Sequence, residues 1–366
     1  MKLICDGLDL SDAVMKVIKA TPQKTTTPIL EGIRLKAEDN FLILTATDLE
    51  LAIIKKIRAD VKIEGEVVVP GRLFADYVKK LTNEKIELSL TENKQLKVQY
   101  TDSEGFIQCL NIEEFPDLKK IEDADFFNIK KSDLNTIINQ TIFSVAQDDS
   151  RPILKGCLFE VENSEIIAVA LDGYRMALVR KPVKSVKNFK VIVPARSLSE
   201  ISKIIEDGEE EINIYVQKNY FMVDYDNTKI ITRLLDGDFI NYKQIIPYNF
   251  STTVTVNRHQ LEDAIDRASI LARSDRNNMI RFDIKDKILT LTSNSEIANI
   301  TENITISLLG KDLTIAFNAK FMQDCLHTQT DEFIKLHFTT SAAPCVIKPN
   351  EGNNYLYLVL PVKIQA

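Results

Sequence analysis

The chain has 366 residues, 45% of them hydrophobic and 27% charged, and its formal net charge is −7 at pH 7. This length leaves room for two or three ordinary domains, each able to bury its own core. The composition excludes wholesale disorder and collagen-like or coiled-coil chains. The acidic total argues against a simple basic nucleic-acid binder, although it does not describe local patches.

Helical and strand patterns alternate through the first third of the chain. Ser11 and Asp12 have the character of a helix cap, because apolar residues then follow at helical spacing, at positions 14, 17 and 18. A loop rich in Thr and Pro precedes two strands around an Asp39-Asn40 turn. The predicted strands of this region cover residues 33–35, 41–47, 51–57, 67–69, 86–90, 96–100 and 106–110. This first pass closes at Phe115-Pro116-Asp117.

The pattern then restarts twice. Residues 121–125 turn acidic, and Ser132 and Asp133 again have the character of a helix cap. A third pass opens near Ser251, with a helix whose apolar residues run from Leu261 to Leu271. The predicted strands of these two passes cover residues 157–161, 166–170, 212–216, 221–225, 230–235, 280–284, 288–292, 333–338, 345–348 and 357–362.

One short stretch occurs three times, as an apolar, β-branched run that ends at Pro or Asn and continues as an amphipathic helix. The copies start at residues 67, 191 and 315, a constant separation of 124, and read Val67-Val68-Val69-Pro70-Gly71-Arg72, Val191-Ile192-Val193-Pro194-Ala195-Arg196 and Ile315-Ala316-Phe317-Asn318-Ala319-Lys320. Their last residues, Arg72, Arg196 and Lys320, are cations near helix N-termini, where they oppose the helix dipole. Solvated surface charge is the favoured explanation for any one of them, and their occurrence three times in register adds an anion-facing role as an alternative.

A repeat of this length is too long for a solenoid unit and indicates whole domains in tandem. We place the domains at residues 1–123, 124–249 and 250–366. Each copy contains two predicted helices and roughly eight strands, so strands dominate. The predicted fold class is α+β, with three tandem copies that each pack two helices on antiparallel sheets.

The sequence offers little to an enzyme interpretation. A P-loop ending at Lys311 would need Gly where Thr305 stands, no GxSxG elbow occurs, and the three histidines at 259, 327 and 337 lack the spacing of metal ligands. No nucleophile–base pair is recognisable either. We therefore predict a protein that is not an enzyme and that uses no cofactor and no metal.

The cysteines and the longest apolar runs indicate a compartment. Five cysteines, at positions 5, 109, 157, 325 and 345, are odd in number and lack a CxxC pair, which predicts buried free thiols in a reducing compartment. No signal-peptide core follows Met1, and the longest apolar runs are strand-sized. We therefore expect a cytosolic protein that does not enter a membrane.

The segment Leu171-Asp172-Gly173-Tyr174-Arg175-Met176-Ala177 combines a turn signal with residues typical of binding surfaces. Asp-Gly supplies a turn between two strands, and this explains Asp172 and Gly173 fully. Tyr, Arg and Met then stand together at the bend, a composition favoured in binding hot spots. A binding role and a purely structural turn remain equal alternatives for these residues.

The ordered motifs resemble those of the bacterial DNA polymerase III β subunit family, the replicative sliding clamps. The similarity extends over essentially the whole chain, and its specificity comes from the order, spacing and threefold repetition of its motifs. The motifs that carry it are Thr27-Pro28-Ile29-Leu30, Thr45-Ala46-Thr47-Asp48-Leu49-Glu50, Val69-Pro70, Phe115-Pro116-Asp117, Asp172-Gly173-Tyr174-Arg175-Met176-Ala177, Val191-Ile192-Val193-Pro194 and Leu360-Pro361-Val362-Lys363-Ile364.

This resemblance implies a head-to-tail homodimer of three-domain subunits, closed as a pseudo-sixfold ring around duplex DNA, with helices inside and sheets outside. It implies as partners double-stranded DNA of any sequence, the replicative DNA polymerase, an ATP-driven clamp loader and other proteins that carry clamp-binding peptides. An acidic exterior and a basic bore would reconcile the net charge with loose phosphate contacts. The DNA-facing candidates are Lys24, Arg72, Arg196 and Lys320.

The resemblance also implies a cleft between the second and third domains that receives short Gln-x-x-Leu-Phe-like peptides. The matching positions are Leu154, Leu171, Gly173, Tyr174, Arg175, Met176, Ile240, Gln244, Ile245, Asn318, Phe321, Pro344, Leu358, Val359, Leu360, Pro361 and Val362. The chain departs from the family's usual residues at Tyr174, Ile240, Asn241, Leu360 and Val362, which bears on the pocket's shape. The dimer contacts are expected near Phe106, Gln108, Ile270 and Leu271.

Two rival interpretations use the same sequence. In the first, three domains form a scaffold that binds proteins and never encircles DNA, and a monomer in solution would favour it. In the second, the chain is a polymerase-associated enzyme with an unrecognised active site, and turnover that survives loss of the cleft would favour that. The sliding-clamp interpretation is the one we adopt.

Overall fold

The computed structural model describes residues 1–81, 84–118, 124–185, 187–273 and 278–364. The chain forms two compact units: residues 1–131 with 203–234 make the first unit, and residues 132–202 with 235–366 make the second. The expected boundary between the first and second domains, at residues 123 and 124, falls at the edge of a segment outside the described residues.

Six α-helices lie within the described residues: α1 (Gly7–Val17), α2 (Gly71–Val78), α3 (Lys131–Thr141), α4 (Ala195–Ile204), α5 (Arg258–Ala272) and α6 (Ala319–Leu326). Both predicted N-terminal caps are wrong. Helix α1 begins at Gly7, because the carboxylate of Asp6 accepts hydrogen bonds from the backbone N–H groups of Leu8 (2.9 Å) and Asp9 (3.2 Å). Such a cap satisfies N–H groups that have no partner within the helix. Helix α3 likewise begins before Ser132.

The strands, in chain order, are β1 (Lys2–Asp6), β2 (Gly32–Glu38), β3 (Phe41–Thr47), β4 (Leu51–Ile63), β5 (Gly65–Pro70), β6 (Lys85–Leu90), β7 (Gln95–Tyr100), β8 (Ser103–Gln108), β9 (Asp125–Lys130), β10 (Gly156–Glu162), β11 (Glu165–Leu171), β12 (Arg175–Pro182), β13 (Lys184–Ser185), β14 (Phe189–Pro194), β15 (Glu211–Gln217), β16 (Tyr220–Tyr225), β17 (Thr228–Arg233), β18 (Thr252–Asn257), β19 (Met279–Lys285), β20 (Ile288–Asn294), β21 (Asn299–Thr305), β22 (Ser307–Gly310), β23 (Leu313–Asn318), β24 (Phe333–Phe338), β25 (Cys345–Pro349) and β26 (Tyr355–Val359).

The first unit is built on one antiparallel sheet with the order β9-β15-β16-β17-β4-β1-β6-β7-β8, from which β3, β2 and β5 branch at β4. The 13-residue β4 holds the sheet together: its first half pairs with β17, with Leu51 opposite Thr232, and its second half pairs with β1. We call the β4/β17 pairing the first joint, because it connects strands from the first and second sequence repeats.

The second unit contains a nine-stranded antiparallel sheet with the order β14-β10-β11-β12-β26-β25-β24-β18-β22 and a four-stranded sheet with the order β21-β20-β19-β23. Strands β12 and β26 connect the second and third sequence repeats, with Arg175 opposite Val359 and Val179 opposite Tyr355. We call this pairing the second joint. It repeats the construction of the first joint with different side chains.

The repeat predicted from sequence is confirmed in the backbone. In all three copies a strand passes into a helix with no residue between them: β5 into α2, β14 into α4 and β23 into α6. The hairpin turn predicted at Asp39-Asn40 is present, with φ values of 48° and 61°. Two successive positive φ values are the geometry of the tight turns that join antiparallel strands. The predicted α+β class, with helices packed on large antiparallel sheets, is thus confirmed.

Several strands differ from their predictions. The strand expected at residues 106–110 covers Ser103–Gln108 instead, and β1, β9, β12, β13, β18, β21 and β22 were not predicted. Of these, β1, β9 and β18 are only five or six residues long, and each mixes apolar with polar or charged residues. A short half-polar stretch becomes a strand when a neighbour offers backbone hydrogen bonds, and that neighbour is far away in the sequence.

Candidate functional site

The turn between β11 and β12 positions the candidate site. The Oδ1 atom of Asp172 accepts hydrogen bonds from the backbone N–H groups of Tyr174 (2.8 Å) and Arg175 (3.0 Å), while the Asp172 N–H donates to the Arg175 carbonyl (3.2 Å). Gly173 has a φ of +94°, a conformation that side-chain-bearing residues rarely adopt. The turn leaves the Tyr174 side chain 64% exposed. The predicted Asp-Gly turn is present, and it projects an aromatic ring into solvent.

Arg175 lies beneath this turn rather than on the surface. Its side chain donates from Nε to Asp172 Oδ2 (3.0 Å), from Nη1 to Asp324 Oδ2 (2.6 Å) and from Nη2 to the Phe143 carbonyl (2.6 Å). Burial alone would lower the pKa of Arg175, but Tyr357, Asp324 and Asp172 outweigh burial and hold the pKa above its ordinary value. The guanidinium is therefore fully engaged within the protein and organises the residues around it.

An apolar floor adjoins the turn. Leu154, Leu171, Met176 and Leu358 belong to one buried cluster, with exposed fractions of 1% to 3%, and Ile240 packs against them. Met176 pairs with Leu358 across the second joint, and Leu171 pairs with Met176 across the hairpin. These predicted cleft residues are therefore brought together, as the floor of the site.

The walls of the site come from the third repeat. The ring of Phe321 lies 4.4 Å from the Arg175 guanidinium carbon and 6.4 Å, between centroids, from the ring of Tyr174. The Asn318 side chain caps α6 by accepting the Phe321 N–H (3.3 Å), which fixes the start of this helix beside the turn. Arg175 and Asn318 thus place two aromatic rings next to each other at the surface.

The segment after β26 completes the site. The Leu360 N–H donates to the Tyr174 carbonyl (2.9 Å), and the Val362 N–H donates to the Ala316 carbonyl (2.8 Å). Val359 is fully buried and lies opposite both Arg175 and Cys345, while the Leu360 side chain is 36% exposed. Pro344, Pro361 and Val362 are half-buried. Leu360 is the most exposed of the three predicted cleft residues that follow β26.

Two predicted cleft residues have a different setting. Gln244 ends the 3-10 turn Tyr242–Gln244, and both it and Ile245 are exposed. Ile246, the next residue, packs against the buried cluster instead. Two of the three groups to which the Arg175 side chain donates, Asp324 and Phe143, were not predicted from the sequence. The sequence signal for Asp324 was its position four residues after Lys320 on the helix that carries Phe321.

Three of the four cations predicted to face DNA, Arg72, Arg196 and Lys320, lie in the first turns of α2, α4 and α6, and Lys24 lies in the loop before β2. Arg72 donates from Nη2 to the Gln23 carbonyl (3.1 Å), and Lys320 Nζ lies 3.2 Å from Asp324 Oδ1. Lys24 and Arg196 are exposed. All four side chains are therefore accessible, although the Asp324 carboxylate offsets part of the Lys320 charge.

The residues predicted at the dimer contact lie on β8 and α5. Phe106 and Gln108 belong to β8, where the Phe106 side chain is 51% exposed, and Ile270 on α5 is 64% exposed. Leu271, the residue after it, is half-buried. Within the described part of the chain, no cluster of His, Cys, Asp or Glu has the arrangement of a metal site, and no helix is long and apolar enough to cross a bilayer.

Comparisons with known proteins give one result across the whole length. The family description "DNA polymerase III beta subunit" matches in three parts: its N-terminal domain over residues 1–119, its central domain over 128–241 and its C-terminal domain over 243–363. A beta sliding clamp of Staphylococcus epidermidis is 32% identical over 357 residues, which are 94% of this chain and 95% of that protein.

Solved structures agree with this result. The DNA polymerase sliding clamp of Bacillus subtilis superposes with a TM-score of 0.97 at 31% identity, with all of both chains covered. A putative DNA polymerase III beta subunit of Eubacterium rectale superposes with a TM-score of 0.96 at 32% identity, again with all of both chains covered. The chain is therefore similar to these two proteins in fold, in length and in sequence.

Proposed function

Because the chain belongs to the DNA polymerase III beta subunit family, we propose that it closes into a ring around duplex DNA and holds partner proteins through the site at the second joint. The function of this family is that of a sliding clamp, a non-catalytic processivity factor in DNA replication. Its family implies DNA and a polymerase as partners. The proposal also includes the assignment of the DNA-facing, peptide-site and dimer-contact residues. It further includes the homodimer, the clamp loader, the three domain boundaries and the cytosolic location.

The strands left without neighbours support a head-to-tail dimer. The first joint pairs β4 with β17, and the second joint pairs β12 with β26. In the repeat, the corresponding strands are β21 and β8, and among the described strands β21 pairs only with β20 and β8 only with β7. Unpaired edges offer backbone hydrogen bonds to another chain. Pairing β8 of one copy with β21 of another would make a third joint, and two such contacts close a ring.

The internal repeat also supplies a register for this contact. Gln108 lies opposite Gln95 in the β7/β8 hairpin, and Arg233 has the equivalent position opposite Tyr220 in the β16/β17 hairpin. At the first joint, the Arg233 N–H donates to the Glu50 carbonyl (2.8 Å). The corresponding turn of the third repeat closes with a hydrogen bond from Ser295 N–H to the Ala298 carbonyl (2.9 Å). We therefore place the Gln108 N–H against the Ile297 carbonyl of a second copy.

Side chains beside these strands fit the same contact. Ile297 is 92% exposed and Phe106 is 51% exposed. On α5, Arg267 donates to both carboxylate oxygens of Glu302 on β21 (2.8 and 2.7 Å), so the helix is fixed to the free strand. Ile270 and Leu271 follow Arg267 by about one turn. Burial of these apolar side chains would drive association.

The four cations Lys24, Arg72, Arg196 and Lys320 are proposed to face DNA. They are exposed, and three of them occupy the same position in three successive repeats. Contacts from such side chains to phosphates carry no sequence information. Weak contacts of this kind suit a protein that must move along the duplex and is retained by its topology rather than by affinity.

The observation that carries the peptide-binding proposal is the combination, at one edge of the second joint, of an apolar floor with exposed Tyr174 and Leu360. Grooves of this type bind short peptides by taking up apolar side chains between polar groups. A peptide such as Gln-Leu-Ser-Leu-Phe would place its Leu and Phe side chains over the floor. Met176 and Leu171 are buried beneath it, so they shape the site from below.

Fluorescence anisotropy with a labelled Gln-Leu-Ser-Leu-Phe peptide tests this site. We expect saturable binding by the wild type and binding at least about tenfold weaker by Leu360→Asp, because a carboxylate would replace apolar contact surface. Leu309→Asp is the matched control, since Leu309 is a 76%-exposed leucine on β22, away from the site. Equal binding by Leu360→Asp and the wild type, or no binding by the wild type, would show that the peptide site is wrongly assigned.

A further inference from the structure

A cavity of about 480 Å3 lies beside the second joint, separate from the proposed peptide site. Leu178 and Leu356, which pair across β12 and β26, contribute to its floor, and they belong to the same buried cluster as Met176 and Leu358. Each lies two residues farther along its strand, a distance of about 7 Å. The cavity therefore opens on the sheet face that carries the peptide-site floor, but farther along the strands.

The segment after the 3-10 turn Tyr242–Gln244 forms the other side of the cavity. Ile246 and Phe250 line it and also pack against the apolar cluster, so they extend the apolar floor. Tyr248 stands at the rim with 78% of its side chain exposed, and its hydroxyl donates to the Lys243 carbonyl (3.3 Å). An apolar floor with an exposed aromatic residue at the rim is the composition of a binding pocket.

The charged side chains that line this cavity all have one sign. Arg180, Lys243 and Lys348 line it, and its lining, all within the described residues, includes no carboxylate. Arg180 Nη1 donates to Glu165 Oε2 (3.1 Å), and Lys243 Nζ lies 3.6 Å from Glu160 Oε1. Both carboxylates lie outside the lining. Three cations around an apolar floor favour a ligand that carries negative charge beside an apolar group.

The one histidine near the cavity does not change this charge at neutral pH. The His337 ring stacks on Phe250 with 4.8 Å between centroids. Burial, reinforced by Lys348 and Lys335, lowers the pKa of His337 to about 4. His337 is therefore neutral at pH 7, and the positive potential of the cavity comes from Arg180, Lys243 and Lys348.

We propose that this cavity is a second binding site, which takes an acidic peptide segment with one apolar side chain. The apolar side chain occupies the floor formed by Leu178, Leu356 and Ile246, and the flanking carboxylates meet Lys243 and Lys348. A nucleic acid fits this site less well, because phosphates would meet the cations while the apolar floor stayed empty. The inference goes beyond the proposed function and does not require that the peptide site over Leu360 be correct.

The test uses a fluorescein-labelled Asp-Glu-Leu-Asp-Glu peptide and the full-length protein. We expect saturable anisotropy with the wild type and binding about tenfold weaker or more with Lys243→Ala/Lys348→Ala, because two charge-assisted contacts are lost. The matched control is Lys287→Ala/Lys311→Ala, which removes two exposed lysines outside the cavity. A labelled Asp-Glu-Gly-Asp-Glu peptide should also bind about tenfold more weakly, because it lacks the apolar side chain.

Three results would overturn the proposal. One is the absence of saturable binding by the wild type, and another is equal weakening in the two double variants, which would indicate diffuse charge attraction. The third is displacement of the probe by unlabelled Gln-Leu-Ser-Leu-Phe peptide, which would place the probe in the other site. Leu360→Asp is expected to affect only the peptide site over Leu360. Failure of one proposal can therefore be distinguished from failure of the other.

Discussion

The two joints inside the chain share a backbone design and differ in chemistry. At the first joint, Asp48 Oδ1 accepts the N–H groups of Glu50 (3.1 Å) and Leu51 (2.8 Å), and Arg233 N–H donates to the Glu50 carbonyl (2.8 Å). At the second joint, Asp172 and the Leu360 N–H make the corresponding bonds to the Tyr174 turn. The two joints therefore share the hydrogen bonds that hold their strands together. These bonds do not distinguish the joint that is proposed to bind peptides from the one that is not.

The side chains of the two turns make the difference. The first turn carries Leu49 and Glu50 where the second carries Gly173 and Tyr174. Beside the first joint, Lys55 is 6% exposed and donates to the carbonyl (2.7 Å) and the Oδ2 atom (3.2 Å) of Asp226. Beside the second joint, Arg175 holds two carboxylates and an aromatic ring. The repeat thus supplies two equivalent frames, and a few substitutions provide one of them with an aromatic, apolar surface.

The largest expected effect that separates the two joints is the loss of their buried cations. Arg175→Ala should destabilise the fold by about 3–5 kcal/mol, because it leaves buried partners of an ion pair unsatisfied. The corresponding cost of Lys55→Ala should be about 1–2 kcal/mol, since its partner Asp226 is 68% exposed and can be solvated, whereas Asp172 and Asp324 are 14% and 20% exposed. Urea unfolding of both variants measures this difference, and equal costs would contradict it.

The role of Arg175 also marks the limit of sequence reasoning. The strand-helix repeat and the Asp172-Gly173 turn were predictable, because apolar spacing and turn residues are local signals. Two of the partners of Arg175 were not predictable, since Asp324 lies 149 residues away and Phe143 lies 32 residues away. The cavity beside Lys348 depends in the same way on the register of β12 against β26. Local pattern determines elements, whereas the site is assembled by pairings between distant segments.

A smaller effect distinguishes the two units by their response to acid, because all three histidines lie in the second unit. Burial, with Lys348 and Lys335, lowers the pKa of His337 from 6.5 to about 4, so between these values the unfolded chain binds more protons than the folded one. Stability from this residue is complete above pH 6.5 and is lost as the pH falls toward 4. With allowance for solvent screening, the loss amounts to about 2 kcal/mol.

The variant His337→Phe isolates this contribution, because it keeps a ring against Phe250 and removes the titrating group. Unfolding free energies of the wild type and of the variant should be measured between pH 7 and pH 4.5. The unfolding free energy of the wild type minus that of the variant should decrease steadily as the pH falls. Carboxylates elsewhere titrate equally in both proteins and cancel in this difference. A difference that stays constant over this range would show that His337 does not titrate as described.

The smallest effect concerns the turns themselves. Gly173 has a φ of +94° and Leu49 a φ of +77°, and a Cβ atom at Gly173 would meet nothing within 4 Å. Gly173→Ala should therefore cost about 1 kcal/mol, from backbone strain alone. In Leu49→Gly the relief of strain and the greater flexibility of the unfolded chain offset each other, so stability should stay within about 0.5 kcal/mol.

Unfolding and peptide binding measured on the same Gly173→Ala protein make this last comparison sharper. If stability falls and peptide affinity stays constant, glycine is needed only for the backbone of the turn. If stability is unchanged and affinity falls, the open space above Gly173 is needed for the peptide. Leu49 fills the equivalent space in the first turn with a side chain that is 62% exposed. The second result would therefore predict that the first joint, which has the same backbone, does not bind this peptide over its turn.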